Sequence, residues 1–391
     1  MKINIAFTII LAAAATSAGG ATISEVLARI ETNNPELKAA SAANAAAEAE
    51  MRADNTLPPT SVEYSPFFRS GVSGVASSEL IVSQEFDFPT LYASRSRQAA
   101  LERRAADGAI ASRRQELLLE ARTAMLDLIR LRREESILSS RLTDTESLLS
   151  LYEKSLELGQ ATQLDVNKTR LETQSISREI LQNAAEQASL EQTLVALNGN
   201  RPLELSDLSY DSETSQLSIP ENPAEIALHS GNVTAALADV SASEGAVSLA
   251  RAGWLPSLSV GYRRNTEEKE ASNGFMIGAA LPIFSNSAKT KAANARLTAA
   301  RLAAETATMQ ATADMQAELR QLGLQKEILD TFDIRLIAST IDLYKKSLDA
   351  GQISLTTYYL ETTTLYDQLL TATRLENDIQ QTWSRLTSPL L

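Results

Sequence analysis

Side chains that usually carry chemistry are few in this sequence and do not cluster. The 391 residues include no cysteine and a single histidine, His229, which excludes disulfides, thiolate metal sites and a cysteine nucleophile. The six methionines are scattered and give no metal relay. We find no Ser–His–Asp cluster, phosphate-binding loop or metal-ligand spacing. The sequence therefore predicts a protein that is not an enzyme and needs no cofactor.

A glycine-containing segment occurs twice in the chain. The sequence YEKSLELGQ at Tyr152–Gln160 returns as YKKSLDAGQ at Tyr344–Gln352, 192 residues later. An Asn…Leu-Pro…Val…Tyr series that begins at Asn34 recurs from Asn232. A repeat this long indicates a duplicated half-protein and not a solenoid. We predict two repeats, at residues 22–198 and 226–391, joined by a proline-rich connector at residues 199–225.

Residues 1–21 have the features of a signal peptide. Lys2 precedes an apolar run from Ile3 to Ala15, and small residues follow. The run is too short to cross a bilayer as a helix. We expect cleavage between Ala18 and Ala21, and export of the mature chain from the cytoplasm. The net charge of −13 argues against nucleic acid as a partner.

Each repeat contains a long tract without proline, and these tracts predict very long helices. Leucines and related residues follow a coiled-coil spacing from Leu138 to Leu156 and again from Ile334 to Leu348. A helix from about Leu91 to Leu158 would measure ~100 Å, and a return helix to about Asn198 only ~57 Å. The return helix would leave part of the long helix without a packing partner. A shorter helix, capped by Asn34 and running to about Asp54, would cover that part by stacking end to end on the return helix.

Two pairs of strands are predicted between the short and long helices. They fall within residues 60–89 and 257–284, as Thr60–Arg69, Ser77–Pro89, Ser257–Asn265 and Gly274–Phe284. Polar or glycine-rich loops are expected at Ser70–Ser77 and Thr266–Asn273. Strands of about ten residues match the length of a tilted strand that crosses a bilayer. The same pattern also fits two hairpins that cap a soluble helical bundle, and the strand pattern alone leaves both open.

The order of these motifs resembles the TolC family of bacterial outer-membrane efflux proteins. The resemblance rests on Asn33–Leu37 (NNPEL), on Gly253–Tyr262 (GWLPSLSVGY) and on the two glycine turns. It implies a mostly α fold with a membrane β-barrel portion, in which long antiparallel coiled-coil helices form a periplasmic tunnel. Four strands from each subunit would contribute to a trimeric 12-stranded barrel in the outer membrane. The implied partners are two further copies of the chain, outer-membrane lipid, a periplasmic adaptor (membrane fusion) protein and an inner-membrane efflux transporter.

The resemblance also implies roles for particular residues. Gly159, Gln160, Gly351 and Gln352 match the periplasmic tip that meets the adaptor, and Asp165 matches a position that holds the tip closed. In the second repeat, family members carry acidic gate residues where this chain has Thr357 and Leu360, and Glu361 is out of register. Closure is therefore expected to rest on Leu360, Tyr358 or Tyr359.

Two classes of function follow from these patterns. The first is a passive exit duct of a tripartite efflux pump, whose substrate class (drug, metal ion or other small molecule) is not fixed by the sequence. The second is a soluble periplasmic coiled-coil scaffold or adaptor without a pore. Runs of arginine and glutamate, such as Arg130–Glu135, are interpreted as the solvated face of a helix in either case.

Overall fold

The computed structural model describes residues 22–71, 73–212, 214, 217, 222–267, 270–282 and 286–390. The predicted signal peptide and Phe284 lie outside these residues. The first repeat begins with two helices, continues with two strands and ends with two longer helices. These elements are α1 (Ile23–Asn33), α2 (Pro35–Asp54), β1 (Ser61–Phe67), β2 (Ser77–Phe86), α3 (Pro89–Glu157) and α4 (Gln163–Leu197).

The second repeat follows the same succession, with one difference. The helix that corresponds to α3 is interrupted after Leu329. The side chain of Asp333 accepts a hydrogen bond from the backbone N of Leu336 (2.9 Å) and thereby starts a new helix. The elements of this repeat are α5 (Pro223–Leu228), α6 (Gly231–Ala252), β3 (Ser257–Glu267), β4 (Glu270–Ala280), α7 (Asn286–Leu329), α8 (Ile334–Asp349) and α9 (Leu355–Thr387).

Helices α2 and α4 meet end to end, as the lengths in the sequence predicted. Asn34 holds this junction, because its Oδ1 accepts from the backbone N of Leu37 (3.0 Å) and its Nδ2 donates to the carbonyl of Leu197 (3.0 Å). Pro35 occupies the first helical turn of α2. The predicted cap is confirmed, and its second hydrogen bond also fixes the end of the return helix.

The corresponding junction of the second repeat lies against α3. Gln115 accepts a hydrogen bond from the backbone N of Gly231 (2.6 Å) and donates to the carbonyl of Pro389 (3.3 Å). The start of α6 and the end of the chain are thus held by one side chain of α3. Helix α2 consequently continues the line of the return helix α4, and helix α6 continues the line of the return helix α9.

The hydrophobic core lies around the middle of α3 rather than at its ends. Ile30 of α1, Leu117 and Met125 of α3, and Leu194 of α4 are fully buried in one cluster. A second cluster joins α7 and α9 through side chains such as Leu322 and Ile379. Each fully buried side chain of this size contributes about 1.5–3 kcal/mol. The first cluster belongs to the first repeat and the second cluster to the second repeat, and the packing of α3 against α6 and α9 joins the two repeats.

The four strands form one antiparallel sheet in the order β1-β2-β3-β4. Strands β3 and β4 pair from Ser257–Ala280 up to Glu267–Glu270. The loop predicted at Thr266–Asn273 is therefore wrong, since most of that segment is paired strand. Its polar sequence favoured a loop, but pairing with β2 and between the two strands outweighs that weak local preference.

The elements are arranged as a strip with two lateral edges. Near the sheet, α3 packs between α2 and α6, with α7 beyond α6. Near the glycine turns, α3 packs between α4 and α9, with α8 beyond α9. We call β1, α2 and α4 the first edge, and β4, α7 and α8 the second edge. Among the described residues, no helix is both long enough and apolar enough to cross a membrane.

Candidate functional site

The first glycine turn is a helix-ending motif of defined geometry. The backbone N of Gln160 donates to the carbonyl of Ser155 (2.8 Å), and the N of Gly159 donates to the carbonyl of Leu156 (2.9 Å). This pair of hydrogen bonds is the Schellman motif, which requires a left-handed residue. Gly159 has a φ of 70°, which lies in the left-handed region that this motif requires. Side chains other than glycine are strained at such a φ.

The second turn repeats this geometry. The N of Gln352 donates to the carbonyl of Ser347 (2.9 Å), the N of Gly351 donates to that of Leu348 (2.9 Å), and φ of Gly351 is 68°. No atom lies within 4 Å of the position that a Cβ would take at either glycine. Both turns are exposed and leave open space above a bare backbone.

Asp165 forms hydrogen bonds within the N-terminal cap of α4. Its backbone N donates to Oγ1 of Thr162 (3.2 Å), and its carboxylate accepts from the backbone N of Thr162 (3.0 Å). These reciprocal hydrogen bonds form a capping box. Hydrogen bonds from the side chain and then the backbone of Thr162 lower the pKa of the Asp165 carboxyl group. Within one subunit, the structure thus gives this residue a local structural role.

The positions of the second repeat that correspond to Asp165 and the residues after it are less polar. Ser354 caps α9 by accepting from the backbone N of Thr357 (3.1 Å), which stands where α4 has Asp165. Leu360 and Glu361 follow on exposed positions of α9, and the Leu360 side chain is 53% exposed. Thr357, Leu360 and Glu361 therefore lie within one turn on an exposed face of α9, whereas Asp165 lies on α4 of the other hairpin.

Tyr358 and Tyr359 do make contacts inside the subunit. Tyr358 is only 3% exposed and packs with Tyr152, Leu148 and Val166 of the first repeat. Tyr359 lies under the ammonium group of Lys168, with Nζ 4.7 Å from the ring centroid. The two hairpins thus share one apolar cluster just above their glycine turns. This cluster places both turns at the same end of the molecule.

A polar layer that the sequence did not reveal joins the same hairpins further from the turns. Asp144 of α3 accepts from Nζ of Lys345 (2.6 Å) and from the hydroxyl of Tyr366 (2.8 Å). Burial, followed by the hydrogen bond to Asp144, raises the pKa of Tyr366. The hydrogen bond to Asp144 likewise raises the pKa of Lys345. Tyr366 therefore stays a neutral donor and Lys345 stays charged over the physiological range.

One turn of α3 earlier, Arg141 forms a second link between the hairpins. Its guanidinium binds Glu172 of α4 (2.6 Å) and Asp367 of α9 (3.0 Å) while only 9% of its side chain is exposed. Sequence reasoning missed both links, although Arg141 and Asp144 flank the coiled-coil position Leu142. Charged residues next to a buried seam were the available signal.

The interpretation of Arg130–Glu135 as a solvated face is wrong for Glu134. Its side chain is 5% exposed and accepts from Arg130 (2.9 Å) and from Arg374 of α9 (3.0 Å). Packing of α9 against α3 buries this carboxylate, which no local pattern in α3 could indicate. A buried carboxylate requires such partners because an unpaired charge is costly to desolvate.

The sheet has two chemically different faces, and the strand register defines them. Residues on one face are mainly aromatic or aliphatic, with Ser78, Gln84, Arg264, Thr266 and Asn273 as exceptions. The other face carries mainly serine, glycine, asparagine and charged side chains, with Phe67, Ile81, Met276 and Ala280 as exceptions. The apolar face includes Val62, Tyr64, Leu80, Val82, Phe86, Leu258, Val260, Tyr262, Phe275 and Ile277; the polar face includes Glu63, Glu79, Glu85, Arg263, Glu267 and Glu270.

Several apolar side chains of the sheet are exposed on the surface of the subunit. Phe275 and Ile277 are 89% and 88% exposed, and Val62 and Tyr64 are also exposed. Apolar residues that alternate with polar ones in this way are typical of strands between lipid and an aqueous lumen. Across the described residues, no group of three or more His, Asp or Glu side chains is arranged to hold a metal ion.

One known protein family matches the second half of the chain. Residues 223–390, which hold the second repeat, match the model of the outer membrane efflux protein family. The second repeat is therefore similar to this family. The resemblance predicted from the sequence motifs is thereby confirmed. Proteins of this family lie in the outer membrane and extend into the periplasm. No protein with a curated description matches the sequence.

Solved structures of outer-membrane channels share the fold over nearly the whole chain. CusC has a TM-score of 0.75 at 18% identity, covering 97% of this chain and 95% of its own. The CmeC outer membrane channel of Campylobacter jejuni gives 0.76 at 15% identity, covering 94% and 85%. The open state of the MtrE channel of Neisseria gonorrhoeae gives 0.74 at 17%, covering 94% and 88%. The predicted fold of long helices and four strands is confirmed, including for the first repeat, which the family model does not reach.

Proposed function

We propose that three copies of this chain form a passive exit duct of a tripartite efflux pump. The observation that carries this proposal is the four-stranded sheet with one apolar and one polar face, standing on a body of long helices. The sheet would cross the outer membrane, and the helices would continue the duct through the periplasm. A periplasmic adaptor would connect it to an inner-membrane transporter that supplies the energy. The duct itself would neither catalyse a reaction nor need a cofactor.

The strand count supports assembly from several copies. Strands β1 and β4 are the open edges of the sheet, and open edges are prohibitively costly inside a bilayer. Four strands are too few to close alone, since the smallest membrane barrels have about 8. Three copies would supply twelve. Helix α2 adds independent support, because none of its 20 residues is buried within one subunit and an isolated helix of this length is marginal in water.

The polar face of the sheet would line the lumen and give it a negative charge. Five glutamates and Arg263 are among its residues, and Arg263 is paired with Glu79. Negative charge along a confined aqueous path concentrates cations. We therefore propose that cationic substrates pass more readily than anionic ones.

We assign the two glycine turns to the periplasmic tip. Gly159, Gln160, Gly351 and Gln352 would meet the adaptor there, since each turn offers an accessible backbone that a partner could approach closely. The candidate closure residues near these turns would face neighbouring copies or the lumen of the duct; they are Asp165, Thr357, Leu360 and Glu361. In the same scheme, residues 1–21 are the cleaved signal, residues 22–198 and 226–391 the two repeats, and residues 199–225 the connector.

We further propose that the polar layer around Asp144 holds the two hairpins together in the closed tip. We expect Asp144→Asn to favour the open state, because Lys345 would lose its ionic partner and Tyr366 its charged acceptor. Loss of such a partner costs about 1–3 kcal/mol, or roughly a 5- to 150-fold shift in the closed-to-open equilibrium. The measurement is the open probability of single trimers in planar bilayers. Glu146→Gln, on an exposed position of the same helix α3, is the control, and equal behaviour of both variants would rule out this role.

The duct is tested directly by the purified protein. We expect a trimer in detergent that conducts ions in planar bilayers, with a reversal potential under a salt gradient that shows preference for cations. Replacing Glu63, Glu85 and Glu267 together by glutamine should reduce that preference without lowering trimer yield. A monodisperse monomer that needs no detergent would instead support the soluble scaffold.

A further inference from the structure

The helices next to the sheet carry cations without carboxylates, although the chain as a whole is acidic. The sequence contains 49 Asp and Glu residues but only 36 Lys and Arg residues. Positions 88–101, 245–266 and 271–304 include no Asp or Glu, yet they hold nine Lys or Arg residues. These stretches contain the parts of α3, α6 and α7 that adjoin the sheet. Uncompensated positive charge at one level of an acidic protein indicates a surface that attracts anions.

Two neighbouring helices divide the surface of α3 near the sheet into two sides. The hydroxyl of Ser96 accepts from Nδ2 of Asn55 at the end of α2 (2.9 Å), and Nε2 of Gln98 donates to the carbonyl of Ala242 of α6 (3.0 Å). Consecutive residues of an α-helix are about 100° apart, so Arg97 projects midway between these two contacts. It therefore lies on one side of the layer that α2, α3 and α6 form.

Arg95 shows which side this is. It is about 200° from Arg97 around the helix, on the other side of the layer, where it pairs with Asp87 (2.7 Å). Asp87 follows Glu85 of the polar face by two residues, so Arg95 shares the side of that face. Arg97 therefore lies below the apolar face, which contacts lipid in the proposed duct. Its side chain is exposed, and within the described part of the chain it has no ion-pair partner.

Helix α7 has an outer side that follows from the same geometry. Asn286 and Ala293, seven residues apart, are buried towards α6, and Nδ2 of Asn286 donates to the carbonyl of Ala250 (2.7 Å). Helices α3 and α7 run in the same direction but flank α6 from opposite sides. On α3 the outer residue Arg97 precedes the α6-facing Gln98, so on α7 the outer residues follow the α6-facing positions.

The basic residues of α7 consequently divide between its two sides. Lys291 is five residues after Asn286, or about 140° around the helix, which places it on the outer side. Lys289 and Arg296 are each three residues after a buried position, or about 60° in the opposite sense, and lie on the lumen side. All three are exposed. Like Arg97, Lys291 has no ion-pair partner among the residues that the structure describes.

Arg97 and Lys291 lie at nearly the same depth below the sheet. Gly245 of α6 packs against Gln98, the residue next to Arg97. Lys291 is five residues below Asn286, which binds α6 five residues above Gly245. Both cations are therefore level with Gly245, roughly 10 Å below the end of α6.

Trp254, just beyond the end of α6, marks the membrane surface in the proposed duct. It is 46% exposed, and exposed tryptophans lie at the level of the lipid headgroups. The headgroup layer is about 5–8 Å thick on each side of a bilayer, and long basic side chains extend towards it. We propose that Arg97 and Lys291 bind the phosphate groups of anionic phospholipids in the inner leaflet of the outer membrane. This site rests on the proposed duct and specifies the lipid that binds at its periplasmic border.

Quenching of Trp254 fluorescence by lipids with brominated acyl chains measures this binding. The trimer would be reconstituted in phosphatidylcholine vesicles with increasing fractions of brominated phosphatidylglycerol, and brominated phosphatidylcholine would be the reference. The second tryptophan of the sequence, Trp383, packs beside Arg122. It gives a constant background, because Arg122 is ~38 Å beyond Arg97 on α3. We expect a several-fold preference for phosphatidylglycerol that falls as the salt concentration rises.

Arg97→Gln/Lys291→Gln should weaken the preference for phosphatidylglycerol about five-fold at each site, which corresponds to ~1 kcal/mol per cation. Lys289→Gln/Arg296→Gln is the matched control. It removes the same charge from the lumen side at a similar depth, so the preference should be unchanged. Inorganic phosphate at millimolar concentration should also leave the preference of the unmodified protein unchanged.

Conductance of the same vesicles separates this proposal from the duct itself. A conducting trimer with equal affinity for both lipids would overturn the headgroup site and leave the duct intact. A monomer that remains in solution without lipid would overturn both. Equal loss of preference in the control variant would show that net charge alone attracts the lipid, and displacement by inorganic phosphate would show that the cations bind free anions. Either result would overturn the headgroup site.

Discussion

Val260→Arg should prevent normal assembly of the barrel. Val260 lies on the apolar face of the sheet, between Gln84 of β2 and Ile277 of β4. In the proposed trimer this face contacts lipid, where an arginine costs about 2–4 kcal/mol at the midplane and less near the interfaces. Three copies would carry the cost together. The measurement is the amount of heat-sensitive trimer in the outer membrane, followed by unfolding of the purified trimer in detergent.

The neighbouring residue of the same strand supplies the control. Ser259 lies on the opposite, polar face, so Ser259→Arg places the same side chain towards the proposed lumen and should be tolerated. Phe86→Arg, at the end of β2, should have an intermediate effect, and Ser73→Arg in the outer loop should have little. Equal tolerance of Val260→Arg and Ser259→Arg would show that the sheet lies in water.

The double variant Gly159→Val/Gly351→Val should abolish export while the trimer still assembles. A β-branched residue in the left-handed conformation costs about 1–2 kcal/mol per site. No atom crowds the new side chains, so this strain is the main structural cost, and the buried core around α3 does not depend on it. The adaptor, however, would meet branched side chains where it had a bare backbone. The measurement is resistance to an exported compound, set against the amount of trimer in the membrane.

A third glycine serves as the reference for this experiment. Gly323 lies inside α7 and also has no atom within 4 Å of its Cβ position, but its φ is not left-handed. Gly323→Val should therefore leave both trimer and resistance unchanged. Normal resistance in the double variant would remove the glycine turns from the docking site. Loss of the trimer would show that the turns serve folding alone.

Local patterns were enough to predict most of the fold. Proline-free tracts and heptad spacing predicted α3 from about Leu91 to Leu158, and it runs from Pro89 to Glu157. Asn34 before Pro35 predicted the start of α2, and the glycines predicted the two turns, where each glycine has a positive φ. These features depend on neighbours within a few residues, because capping, helix propensity and φ are set locally. The duplication then extended each prediction from one repeat to the other.

The sequence by itself determined the long helices, the glycine turns and the resemblance to the outer membrane efflux proteins, whereas the tertiary structure decided which charged residues are buried and which surfaces remain open. Asp144 binds Tyr366 across 222 positions, and Glu134 binds Arg374 across 240. Nothing in either helix alone distinguishes these residues from solvated charges. The strand register likewise decided that Glu63 and Glu85 share one face and Val260 the other. Such partners are chosen by the packing of whole helices and strands, since a charge is stabilised by whatever group the fold brings within a few ångströms.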